Sequence, residues 1–562
     1  MSAVQAFSQE PIITSHCSTS SIPFPKIPGL QFEQVQANLV QDYTKSLGRG
    51  EYIGHEAWNV SNLGFCNVSL TYTHTGHNDP INLQVWLPLG DDWNGRMVGV
   101  GGGGYSAGLF EFSQRSLAGA VSEGYVALST DAGHDADDPD PDNWALTASG
   151  EVDMYRLENF AHVAQGDAAT IGKLVSESFY GSKPKYSYWN GCSTGGRQGL
   201  MLAQRNPNAY DGILAMAPAT NWAHFIPSLY WPQFIMNQLK EYPHECELST
   251  LTAAAIMECD TDDGVVDGVI SDPDACAFNP FDLVGQVVEC PSSCTPMKIS
   301  AAAAKVAAEA WSGPKTVHGD SLWYGVSPEA PLTGSFNLAN TFCEEGKGCH
   351  AGAPFPIASS WLTHFVANNP KLDLATLTHM SYEKLFNESV TKLNKIMGSN
   401  DADLSRFRNT GGKMLTVHGL ADQVIPPGGT KEYYETVLSK DPKAPSYFKY
   451  FEAPGFAHCY GGPGPFPGHI FDDLVAWVEE GKEPKTLLAT TEPNEQGEVF
   501  ERPLCQYPLV ARYAGTGDPR KAQSYYCAES YLSATPIKIL LKRARKALQN
   551  HSGSQTTARV EK

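Results

Sequence analysis

The chain has no run of about 18 or more apolar residues, which excludes a membrane-spanning helix. It is also short of positive charge. Forty lysines and arginines against 61 aspartates and glutamates give a net charge of -21, which repels nucleic acid and anionic membrane and says nothing of fold. No CxxC…CxxC pattern exists, so the cysteines do not read as zinc ligands. There is no internal repeat. The first residues, MSAVQAFSQEPIITSHC, have neither a basic n-region nor an apolar h-region, so no signal peptide is visible.

What is abundant points outward. Thirteen cysteines, several close in sequence, favour disulfides and an oxidising compartment. Sequons at Asn59, Asn67, Asn387 and Asn550 are compatible with secretion. Two readings of location follow: a secreted chain in its mature form behind Met1, or a protein that stays inside. The cysteine content favours the first.

At 562 residues the chain is long for one domain. Residues 1 to about 80 are polar and turn-rich, with alternating stretches such as Phe65–Tyr72 that read as strands. Short apolar strands then follow at Asn82–Leu87, Arg96–Val100, Tyr125–Leu128, Lys185–Trp189 and Ile213–Met216, with a helical pattern over Leu157–Tyr180. Strands alternating with helices predict an α/β fold, a parallel sheet with helices on both faces. The rhythm is lost from about Asn221 to Thr410 and returns at Lys413–Val417 and Phe448–Phe451. We therefore expect a catalytic domain over 1–220 and 411–562, and a lid over 221–410 at the carboxyl end of the strands. The basic stretch at Ile537–Lys562 reads as a solvated terminal helix and polar tail rather than a membrane or partner surface.

Gly191-Cys192-Ser193-Thr194-Gly195 fits G-x-S-x-G, and its context matters more than the pattern. A strand, KYSYW, precedes it and an apolar helix follows. That is the setting in which a sharp turn lifts a nucleophilic serine above a sheet. A chance glycine-rich turn is the competing reading. Such a serine needs a base and an orienting acid, in the chain order Ser, Asp, His. Asp422 lies in the loop after KMLTV, ahead of Pro426 and Pro427. His458 lies in a Gly/Pro-rich loop seven residues beyond FKYF. The expectation is a serine hydrolase cleaving carboxylic esters.

Cys192 directly precedes the serine and Cys459 directly follows the histidine. If Ser193 and His458 are within hydrogen-bond reach, their neighbours can bridge. A disulfide there would close a loop of more than 260 residues and stabilise by about 5 kcal/mol at most. Cys192 as the nucleophile is discounted, because the x position of the turn points away from the site.

With Cys192-Ser193, Asp422 and His458-Cys459, the chain resembles the tannase/feruloyl esterase family of α/β-hydrolases, as does HGxxDxxIPP around Asp422. The resemblance runs from Cys17 to about Cys527. It implies an α/β-hydrolase fold with a large inserted lid, a structural calcium in that lid, and esters of aromatic acids as substrates. The family includes tannases acting on gallate esters and bacterial hydrolases of terephthalate monoesters, so membership does not fix the substrate. The oxyanion is expected on the backbone N–H of Thr194 and a second N–H from the Gly101–Gly104 run, at Gly103 or Gly104. That run lacks the GxxxxGK[ST] lysine of a phosphate loop.

Residues 260–269 pack four aspartates and two glycines into ten positions. Calcium takes six to eight oxygens, carboxylate and carbonyl mixed, on a tightly curled loop. A solvated acidic turn is the competing reading. The resemblance implies side-chain ligation by Asp260, Asp263 and Asp267 and carbonyl ligation by Val265 and Val269, with Asp262 outside. Cys259 and Cys276 flank this loop and are expected to pair. Cys17–Cys66 and Cys505–Cys527 are pairs the resemblance implies, and Cys343–Cys349 is plausible by closeness. Cys246, Cys290 and Cys294 hold at most one further bond.

The leading expectation is a secreted feruloyl esterase acting on hydroxycinnamate esters of plant cell wall sugars. A tannase and an intracellular esterase of an aromatic secondary metabolite are the alternatives. A catalytically dead binding protein is disfavoured by the intact Ser193, Asp422 and His458. Candidate pocket aromatics from the lid are Trp222, Phe225, Tyr230, Trp231, Phe234 and Trp361, most of them expected to be core.

Overall fold

The computed structural model describes residues 17–290, 296–344 and 348–529. Asn550, Cys294 and the basic stretch Ile537–Lys562 lie outside them. A nine-stranded sheet forms the frame: β1 Leu30–Leu47, β2 Trp58–His74, β3 Ile81–Pro88, β4 Arg96–Val100, β5 Val126–Thr130, β6 Tyr186–Cys192, β7 Gly212–Met216, β8 Lys413–Gly419 and β9 Phe448–Ala453. Their order across the sheet is β1-β2-β3-β5-β4-β6-β7-β8-β9. The six strands from β5 to β9 run parallel, as the alternation predicts. The other three do not. β1, β2 and β3 are antiparallel neighbours, and β3 is antiparallel to β5, so the sheet is mixed.

Burial explains the difference in sequence character. β4, β5 and β7 are covered on both faces and read as continuous apolar runs. β1 lies at the edge, carries four glutamines, and is buried only at its last residue. Polar edge strands resist pairing with other chains.

Helices cover both faces. On one, Ala164–Tyr180 and Thr194–Arg205 bury Ile171, Val175 and Leu200. On the other, Glu111–Ser122 and Ile470–Glu480 bury Leu117, Val121, Phe471 and Leu474. The helix expected over Leu157–Tyr180 starts earlier, at Met154, where the Asp153 side chain caps Arg156 N–H. It carries a π-helical segment over Asn159–Val163. The carbonyls of Phe160 and Ala161 there accept from the guanidinium of Arg197, which is fully buried.

Between Met216 and Lys413 no described residue joins the nine-stranded sheet. This insert is mainly helical, with Trp222–Leu229 and Trp231–Leu239 packed against His379–Met397. It reaches the glycine loop after β4: the Tyr105 hydroxyl donates to the Ile357 carbonyl, 3.2 Å away. Six disulfides join Cys17–Cys66, Cys192–Cys459, Cys246–Cys290, Cys259–Cys276, Cys343–Cys349 and Cys505–Cys527. Among the described residues no helix is long and apolar enough to cross a membrane.

Candidate active site

β6 ends at Cys192 and the next helix begins at Thr194, so Ser193 alone makes the turn. It does so at φ 62°, ψ -123°, a conformation that costs a non-glycine residue about 1–3 kcal/mol and persists only where the surroundings impose it. The glycines of the motif show how they do. A Cβ on Gly191 would meet the Gly195 carbonyl carbon at 2.5 Å, and one on Gly101 would meet Gly195 Cα at 2.4 Å. Strand end, helix start and glycine loop are in backbone contact, which only glycine permits. Ser193 itself remains partly exposed.

Asp422 lies just past β8 and is fully buried. Its Oδ1 accepts from the N–H groups of Val424 and Ile425, each at 2.8 Å. Its Oδ2 accepts from His458 Nδ1 at 2.7 Å and from His418 Nε2 at 3.1 Å. Burial opposes ionisation of this carboxyl, yet the two imidazoles hold it well below the ordinary carboxylate range. His458 is fixed again by its N–H, which donates to Gln423 Oε1 at 3.2 Å. The Cys192–Cys459 disulfide, with Cα atoms 5.9 Å apart, ties the residue before Ser193 to the residue after His458. Serine turn and histidine loop are thus brought together.

His418 escaped the sequence reading. It is fully buried in β8, and its Nε2–H is shared between Asp422 and the Ile425 carbonyl at 3.1 Å, while the Thr430 hydroxyl donates to Nδ1 at 2.8 Å. A histidine four residues ahead of the acid was the available signal.

Of the glycines next to the serine turn, Gly103 donates its N–H to Ser106 O at 3.0 Å and is already engaged. Gly104 differs. Its carbonyl accepts from the Thr194 hydroxyl at 2.7 Å, and it adopts φ 56° with Ile357 of the insert 3.2 Å from its Cβ position. Thr194 is buried at the head of its helix. The lid aromatics named from sequence do not line a cleft. Trp222, Phe225, Tyr230, Trp231, Phe234 and Trp361 are all at most 2% exposed and belong to a core shared with the sheet side of the molecule, Trp222 packing on Tyr105 and Phe160. The aromatic groups beside the serine turn come from elsewhere. Phe110 reaches within 2.9 Å of the Gly103 Cβ position, Phe112 packs on it, and Phe112 stacks on the exposed Tyr460 beyond Cys459.

The acidic loop curls as expected. Asp260 is buried and accepts from Asp267 N–H at 3.1 Å and Gly268 N–H at 3.0 Å, and Asp263 accepts from Val265 N–H at 2.9 Å. Asp267 pairs through Oδ2 with Arg502, while its Oδ1 is buried with no hydrogen-bond partner. The three aspartate carboxylates stand apart rather than on one point, Asp267 being drawn to Arg502. Burial pushes Asp267 up to about 6 and raises Asp263. An orphaned, buried carboxylate oxygen among like-charged neighbours is a donor set that fits a hard cation. Val265 and Val269 are buried in the same loop.

Comparison with known proteins places this geometry. The pattern of the family described as tannase and feruloyl esterase matches residues 66–528. A probable feruloyl esterase of Arthroderma benhamiae is 42% identical over 475 residues, spanning 84% of this chain and 86% of its own. The tannin acyl hydrolase from Aspergillus niger superposes with a TM-score of 0.82 at 25% identity, over 94% of this chain and 99% of that one. Feruloyl esterase B from Aspergillus oryzae superposes at 0.73 and 24% identity, over 90% and 98%. The chain belongs to the tannase and feruloyl esterase family, a carboxylic ester hydrolase on an α/β-hydrolase fold.

Proposed function

We propose that the chain is a feruloyl esterase that hydrolyses hydroxycinnamate esters of plant cell wall sugars through an acyl-enzyme. The observation that carries the mechanism is the linked trio. Ser193 sits on a strained turn, Cys192–Cys459 joins that turn to the His458 loop, and His458 donates to a buried, ionised Asp422. In this reading His458 Nε2 takes the Ser193 hydroxyl proton as the oxygen attacks the ester carbonyl. The same proton then leaves with the alcohol as the C–O bond breaks. Water, deprotonated by His458, releases the acid and returns the proton to Ser193. Asp422 keeps the imidazole's Nδ1–H in place and stabilises its charged form. The oxyanion is assigned to the N–H groups of Thr194 and Gly104, since that of Gly103 is engaged.

The substrate class rests on the aromatic edge formed by Phe110, Phe112 and Tyr460, suited to a planar acyl ring, and on the likeness to the Arthroderma protein. Turnover of methyl ferulate and caffeate above gallate and terephthalate monoesters is the expected result. Gallate preferred would make the chain a tannase. Ser193→Ala should lower turnover by roughly 10⁴-fold or more and abolish fluorophosphonate labelling. An undiminished rate in that variant would sink the serine mechanism.

The acidic loop supports a structural calcium held by the side chains of Asp260, Asp263 and Asp267 and the carbonyls of Val265 and Val269. Bound there, the ion would supply charge neutralisation and no chemistry at Ser193. Elemental analysis should find one calcium per chain, and chelation should lower the melting temperature. Protein that contains no calcium and melts unchanged under chelator would refute the site. The six disulfides support a secreted enzyme. So do exposed sequons at Asn59 and Asn387.

A further inference from the structure

On the face of the sheet covered by Glu111–Ser122 and Ile470–Glu480, one buried histidine has a ring nitrogen without a partner. His55 lies in the loop between β1 and β2, is 3% exposed, and stacks on Tyr52 with ring centroids 3.6 Å apart. Its Nδ1 stands 3.0 Å from the Ile53 carbonyl. A carbonyl only accepts, so Nδ1 carries the hydrogen and Nε2 presents a lone pair. That Nε2 is buried and has no hydrogen-bond partner.

Two carboxylates face the lone pair. Glu123 Oε2, at the end of helix Glu111–Ser122, is 3.6 Å away. This is too long for a hydrogen bond, but close to the edge of a zinc tetrahedron with bonds of about 2.0–2.1 Å. Asp472, in the first turn of Ile470–Glu480, supplies an oxygen such that all three atoms lie within 4.8 Å of one another. Each buried member is itself held. The Ile53 carbonyl orients His55, and the Tyr52 hydroxyl donates to Glu123 Oε2 at 2.6 Å. Groups of this kind behind the ligands fix the tautomer and direction of metal-binding side chains.

We propose that His55 Nε2, Glu123 and Asp472 bind a divalent ion of the zinc class, with water in the remaining position. One imidazole and two carboxylates suit zinc, whereas calcium takes six to eight oxygens. The ion joins the β1–β2 loop to the two helices on this face. It also bears on the catalytic turn, because Asn190 in β6 donates to the same Ile53 carbonyl at 2.9 Å, three residues ahead of Ser193. His469 Nδ1 stands 3.6 Å from the Asp472 Oδ2 atom.

Untagged full-length protein in calcium-containing buffer, on a Cys294→Ser background, tests this by competition with a chromophoric zinc chelator and by the visible spectrum with cobalt. One equivalent of zinc should bind at micromolar or tighter affinity, and cobalt should give a low-coordinate absorption band. Asp472→Asn, at a side chain 63% exposed whose loss leaves the core intact, should weaken zinc at least tenfold, and His55→Gln should do the same. Asp267→Asn in the acidic loop should leave zinc binding unchanged. No saturable zinc binding in the parent protein, or undiminished binding in Asp472→Asn, would overturn the assignment.

Discussion

Asp422 receives four hydrogen bonds at once, from two backbone N–H groups and two imidazoles. A carboxylate so supplied is held ionised and in one orientation, which is what a histidine base behind it requires. In the proposed mechanism His418 acts by positioning Asp422. Replacing it with Leu removes a hydrogen bond to a charged group, about 1.5–3 kcal/mol, and should lower kcat by roughly 10- to 100-fold with little change in KM. Unchanged kcat would show that the backbone N–H groups suffice. The sign of the acid dependence follows as well. Asp422 is depressed in the folded state, so its contribution is fully present above its unfolded value, about 3.9, and is lost as pH falls toward the folded one. The positions of Ser193, Asp422 and His458 after strands were legible from their order in the chain, and the structure brings His458 onto Asp422. His418 was not, since a histidine inside an apolar strand looks like any buried core residue.

Single elements differ in how openly the sequence declares them. β4 and β8 are apolar runs with abrupt ends, and their expected bounds fall within two residues of those observed. β1 is 18 residues long and polar, because an edge strand shows most of its side chains to water and loses the contrast that marks a strand. The π segment at Asn159–Val163 left no trace either, and the partner of its Phe160 and Ala161 carbonyls, Arg197, is distant in sequence. The lid aromatics, most of them expected to be core, are all buried. Helical spacing of large rings signals burial but does not say against what. β2 carries a pH-dependent tie at its end, where His74 bridges Asp79 at 2.6 Å and Asp167 at 2.9 Å. The hydrogen bond to Asp167 raises the imidazole to about 9. A raised folded value stabilises fully below the unfolded pKa, about 6.5, and the gain fades as pH climbs through 9. His74→Gln should cost stability at pH 6, with the difference from the parent shrinking by pH 9.5 in urea unfolding. A constant difference would mean that packing, and not charge, is what His74 provides.

At the scale of the whole molecule, the groups proposed to be catalytic are divided by the insert. Ser193 precedes it, and Asp422 and His458 follow it. The strands β7 and β8 that bring the two sides together pair Gly212 with Lys413, across about 200 residues of chain. The Cys192–Cys459 disulfide closes an even longer loop, with a sequence separation of 267. Refolding of reduced protein without oxidant should restore helical signal but fall short in turnover, and a glutathione redox pair should then recover it. Full turnover with these two thiols still titratable would show that the sheet alone sets the geometry. The topology has a further consequence for the order of assembly. The first strands and the serine turn can form early from local contacts, but the β7–β8 joint has to wait until the insert has condensed enough to bring its two ends side by side. A half-folded chain therefore carries a serine with no base behind it. In the proposed mechanism, turnover should therefore appear only once the β7–β8 joint has formed and His458 has come up beside the serine turn.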